Sequence, residues 1–153
     1  MADEPRTLVM FESSTLNNTE VRDYFINDCC FGDDVLIWVA RRLRERGHVA
    51  EQTPGQEDFG WYLYYRVNGV DHMLVLSYRP GDEAMPGVWL GWVRRRRGLF
   101  GIIFGREAHG ITGEAVRAVH EALSGAPEIS NLHWHFERDF GLGREDLGAA
   151  EPF

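Results

Sequence analysis

The chain has 153 residues, 44% of them hydrophobic and 12% aromatic, a composition that builds a core rather than a disordered segment. Its formal net charge of −8 sets up a field that repels phosphate backbones and anionic lipid, which disfavours nucleic acid as a general partner. No apolar run approaches the roughly 18 residues of a membrane span, and the start, Met1-Ala2-Asp3-Glu4-Pro5, is acidic where a secretory signal is basic; an integral membrane protein is not expected, and the expected location is the cytoplasm.

Thr7 to Glu12 alternate as a first strand, followed by a polar loop that opens with Ser13-Ser14-Thr15-Leu16-Asn17-Asn18. Gly32-Asp33-Asp34 supplies a capping residue and negative charge for a first helix, and Arg41, Arg42, Arg44 and Arg46 complement its dipole before Gly47 stops it. Leu36, Val39, Ala40 and Leu43 form its buried stripe, with Trp38 on the flank. The only cysteines, Cys29 and Cys30, are adjacent and cannot form a disulfide framework or a CxxC motif; they read as small apolar residues in a reducing compartment.

His48 to Thr53 reads as a second strand. Asn68-Gly69 then sits between two alternating runs, which predicts a type I′ hairpin pairing Val67 with Val70, Arg66 with Asp71, Tyr65 with His72, Leu63 with Leu74 and Trp61 with Leu76. Val88 to Val93 is the next strand, where Gly91, between Trp89 and Trp92, leaves room for a ligand or a bulky neighbour. Thr112 or a neighbour caps a second helix over Glu114 to Leu123, ended by Gly125-Ala126-Pro127. Leu132, Trp134 and Phe136 alternate as a last strand, and residues from about 140 to 153 read as a loosely held acidic tail with at most one docked turn. The order β-α-β-β-β-β-α-β, with no repeat or dividing linker, predicts one domain spanning 1–153: a two-layer α+β sandwich with one mainly antiparallel sheet and two helices packed on one face.

Three groups of residues stand out chemically. In the first, Arg94, Arg95, Arg96 and Arg97 run into an apolar block holding Leu99, Phe100, Ile103 and Phe104 and ending at Arg106. It would bind a protein partner if exposed, or fold back over the sheet edge with its Arg side chains turned outward. Its glycines match neither the P-loop nor the dinucleotide fingerprint. The second is His133-x-His135-x-Glu137, whose alternation would put two imidazoles and a carboxylate on one strand face, with His72 as a further ligand. A metal-dependent enzyme is the corresponding alternative, and the only reading that calls for a cofactor. The third, Trp61, Tyr62, Tyr64, Trp89 and Trp92, would line an aromatic pocket for a small molecule. Asp33-Asp34 and Glu57-Asp58 read as helix-start and turn residues rather than an acid/base pair, and no serine or cysteine sits in a nucleophile motif.

Gly32-Asp33-Asp34 with Trp38, Glu57-Asp58-Phe59-Gly60-Trp61, the Leu99 to Gly105 segment with the preceding Arg94 to Arg97, and Ile129 to Trp134 together resemble a family of small bacterial proteins of no assigned function. That resemblance implies no activity. A looser likeness, in size, charge and class alone, is to the immunity proteins that neutralise bacterial toxins. The leading expectation is therefore a non-catalytic interaction module with a protein partner, a homo-oligomer being the other form such contact would take.

Overall fold

The computed structural model describes residues 4–28, 30–58, 60–96 and 110–153. Its centre is the hairpin of β4 (Gly60–Val67) and β5 (Val70–Arg79). Asn68 and Gly69 take φ of 50° and 76°, the two positive values a type I′ turn requires, and the strands pair in the predicted register from Val67–Val70 to Trp61–Leu76. Because register fixes faces, Trp61, Leu63, Tyr65 and Val67 all turn to one side and are buried there.

Around this hairpin the described residues complete a seven-stranded sheet with β1 (Leu8–Glu12), β2 (Val49–Ala50), β3 (Gly55–Glu57), β6 (Val88–Arg95) and β7 (Ser130–His135). The order is β2-β4-β5-β6-β1-β7, with β3 also on β4, and every pairing is antiparallel. The fold is thus the expected α+β arrangement. Helices α1 (Asp33–Glu45) and α2 (Gly113–Leu123) lie on one face, where Leu36, Val39, Leu43, Val116, Val119 and Leu123 join Val9, Phe11, Leu63, Leu74, Trp89 and Trp134 in the core. The Thr112 side chain caps α2 by accepting from Ala115 N at 3.2 Å. At α1 the cap is Gly32 and no side chain bonds to it; the neighbouring carboxylates serve another purpose, described below.

Three elements of the described residues go beyond the predicted order: β3, a third helix and a 3-10 turn, Glu145–Leu147. Strand β3 is three residues long, too short for an alternation signal. The last strand ends at His135, and a short helix α3 (Glu137–Gly141) takes over from it, so Glu137 leaves the strand before alternation can align it with the histidines. Of the two occupants expected at the Gly91 gap, it is the bulky neighbour that fills it: a side chain there would come within 2.9 Å of Val9 Cγ1 and 3.3 Å of Leu74 Cδ1.

The carboxy-terminal residues are docked rather than loose. Ala149 exchanges both backbone hydrogen bonds with Trp134, at 2.7 and 2.9 Å, and so extends the sheet beyond β7 and covers part of its edge. Arg6 N donates to Pro152 O at 2.7 Å, Arg79 pairs with Glu145 at 2.6 Å, and the Arg117 guanidinium lies 4.8 Å from the Phe153 ring centre. The segment thereby runs from the face of the sheet opposite α1 and α2 to the flank of α2.

Candidate functional site

Between β1 and α1 the chain spends 20 residues, 13 to 32, without helix or strand in its described part. Irregular connections of that length inside a small domain are usually functional, because nothing in the fold's own economy requires them. This one is held from beneath. Gln56, only 6% exposed, accepts from the backbone N–H of Ile26 and Asn27 at 2.6 and 3.1 Å and donates to the carbonyls of Asn27 and Cys30 at 2.6 and 3.2 Å. Trp61 Nε1 donates to the Cys30 carbonyl at 2.8 Å. Phe25 packs edge-on against Trp61 at 5.0 Å and against Phe31 at 6.0 Å, giving the loop an aromatic base.

An ionic clamp fixes the other end. Arg22 NH1 reaches Asp33 at 2.8 Å and Asp34 at 2.6 Å; Tyr24 OH donates to Asp33, and Asn17 N donates to Asp34 at 3.3 Å. Asp33 is fully buried at the start of α1, and the hydrogen bonds that Arg22 makes with Asp34 and Tyr24 hold its guanidinium protonated, well above its ordinary range. Gly32 makes this geometry accessible: its φ of 149° suits glycine, and a side chain there would meet Trp61 Cδ1 at 2.9 Å.

With its backbone fixed in this way, the loop presents apolar side chains to solvent. Ile26 is 82% exposed, Tyr24 54% and Val21 44%. None of these was singled out by sequence pattern. The signal that marks them is the absence of periodicity over 20 residues combined with bulky apolar residues inside that stretch.

The residues expected to carry function are distributed differently. Arg97, Leu99, Phe100, Ile103, Phe104 and Arg106 lie outside the described residues. Arg94 is committed: it grips Glu137 through both guanidinium nitrogens at 2.8 and 2.6 Å, and Thr7 Oγ1 donates to the same carboxylate. Arg95 lies opposite His72 at the end of β6, and Arg96 stacks over Tyr64 at 3.8 Å.

The four candidate metal ligands do not converge. His133 and His135 pair with Met10 and Leu8 on the face opposite α1 and α2, whereas His72 is buried under α2 on the other, with β6 and β1 between their strands. Glu137 is taken by Arg94 and Thr7. Among the described residues no group of three or more His, Cys, Asp or Glu side chains is placed to hold a metal ion. The pocket set divides in the same way: Trp61 and Trp89 are core residues under the helices, and Tyr62, Tyr64 and Trp92 belong to the opposite face. Trp92 does line a cleft of about 480 Å³, but its other walls include Leu8, Arg94, Glu137, Phe140 and Leu142.

His135 is 2% exposed, and neither ring nitrogen has a hydrogen-bond partner among the described residues. Burial lowers its pKa first, assisted by His133 and Arg6, with Glu145 opposing.

The fold and this loop together define a two-layer α+β protein with a preformed apolar surface at one end of the sheet. No family model matches the chain, and neither curated proteins nor solved structures yielded a match. No helix among the described residues is long and apolar enough to cross a membrane.

Proposed function

We propose that this protein is a small non-catalytic interaction module which offers the loop between β1 and α1 to a protein partner. One observation carries the reading: Ile26, the most exposed large apolar side chain in the loop, sits on a backbone N–H that the buried Gln56 holds at 2.6 Å. An exposed apolar side chain on a mobile loop gains little on binding, because ordering the loop offsets the burial. On a preorganised loop that cost has already been met in folding. The proposal keeps the family of small bacterial proteins, and with it a bacterial cytoplasm, as its setting. An immunity-like role is one form it would take.

The test is affinity capture from the source cell's lysate with wild-type protein and with an Ile26→Asp variant of unchanged melting temperature. A protein retained by the first and lost by the second supports the reading. Identical retention by both, or none by either, removes it.

A second reading rests on the cleft lined by Trp92, Phe140 and Leu142, whose volume of about 480 Å³ suits a small apolar ligand. Ligand binding that disappears in a folded Trp92→Ala variant would favour it.

A further inference from the structure

We propose that the partner of the loop surface is a cationic protein face, with an apolar socket for Ile26 and Tyr24 set among Lys or Arg side chains. This rests on the loop being a binding site and adds what binds there.

The argument is one of charge left over. Between Glu12 and Arg41 the only cation is Arg22. Its guanidinium is turned onto Asp33, Asp34 and the Tyr24 hydroxyl, so this one cation is taken up by two carboxylates and offsets no other acid of the loop. The acids of the loop do the opposite. Glu20, Asp23 and Asp28 are exposed and enter no ion pair among the described residues. Beside them, Glu57 and Asp58 at the β3–β4 turn are exposed as well, next to the Gln56 that anchors Ile26 and Asn27. No Lys or Arg occurs between Arg46 and Arg66 to offset them.

Exposed apolar anchors with a rim of one sign describe a protein interface whose core supplies affinity and whose rim supplies steering. The sign selects the partner. Nucleic acid and anionic membrane are repelled by the rim, and a bare cation would make no use of Ile26, Tyr24 and Val21. A basic protein surface satisfies both features.

The experiment uses the full chain, captures from lysate as above, and then measures association of the captured protein at low and high salt with three forms: wild type, Ile26→Asp, and a Glu20→Gln, Asp23→Asn, Asp28→Asn triple variant. These side chains are exposed, so all three forms should share one melting temperature. The expected result is loss of binding for Ile26→Asp, an association rate about tenfold lower for the triple variant at low salt with the gap closing at high salt, and a footprint on the partner rich in Lys or Arg. If Ile26→Asp abolishes binding while the triple variant and added salt change nothing, or if the footprint is acidic or neutral, the cationic partner is overturned and the loop remains a binding site. If Ile26→Asp binds like wild type, or nucleic acid is what the column retains, both fall.

Discussion

The backbone N–H of Thr112 donates to Nε2 of His72 across 3.1 Å, so the residue that caps α2 is tied to the middle of the sheet by an imidazole acting as acceptor. The other ring nitrogen, Nδ1, faces the Val70 carbonyl at 3.3 Å, an arrangement that only the neutral ring with its proton on Nδ1 satisfies. His72 is fully buried, and its pKa is lowered mainly by desolvation.

This geometry gives stability a pH dependence of defined sign. A histidine whose folded pKa lies below its unfolded value of about 6.5 binds more protons when unfolded, so stability is complete above that value and falls as pH drops through it towards the folded pKa. His135 acts in the same direction. Urea unfolding should therefore show lower stability at pH 5 than at pH 7.5. A His72→Phe variant should lose about 1 kcal/mol at pH 7.5, because the part-buried Thr112 N loses its acceptor, and should show a flatter pH profile than wild type. An unchanged slope would mean that His72 does not titrate with folding.

Arg22→Ala should loosen the loop without unfolding the sheet. Asp33 is fully buried but keeps Tyr24 as a donor, and solvent reaches the Arg22 side chain, which is 30% exposed; the loss is accordingly near the low end for a broken pair, about 2 kcal/mol. The sharper readout is local. Amide exchange at Ile26 and Asn27 should accelerate in Arg22→Ala and more so in Gln56→Ala, while exchange in β4 and β5 stays near wild type.

Glu137→Ala should cost about 3 kcal/mol, since Arg94 and Glu137 are 17% and 14% exposed and the variant strands a guanidinium under α3. A double Arg94→Met, Glu137→Leu variant should recover most of that loss, as apolar replacement of a partly buried pair commonly does. Thermal unfolding of the two variants distinguishes this structural role from a ligand role, which the double variant would not rescue.

Gly148→Ala should release the carboxy-terminal segment. A methyl at position 148 would lie 2.5 Å from His135 Cε1, inside van der Waals contact with a ring that Phe140 already packs against at 5.4 Å. Faster exchange of the Ala149 amide and earlier proteolysis after residue 141 are expected, with the helix-face core unaffected. An unchanged Ala149 amide would show that the ring has room to move.

Much of the fold is local chemistry, legible in the order of the residues. Asn68-Gly69 dictates its own turn type, the turn dictates register, and period-two alternation then decides which face each residue from Trp61 to Leu76 occupies. Helices α1 and α2 announce themselves by apolar spacing and, for α2, by the Thr112 cap. Pairings between residues separated in the chain come into being only when the elements pack: Gln56 with Ile26, Asp33 with Arg22, His72 with Thr112, Arg94 with Glu137, Ala149 with Trp134. The His-x-His-x-Glu spacing shows why these escape a linear reading. Alternation holds only while the strand continues, and it ends at His135, one turn of chain before Glu137 finds Arg94 instead. Residues 13 to 32 lack periodicity altogether, so neither their conformation nor the exposure of Ile26 could be inferred until the polar side chains beneath them, brought there by β3 and α1, were in place.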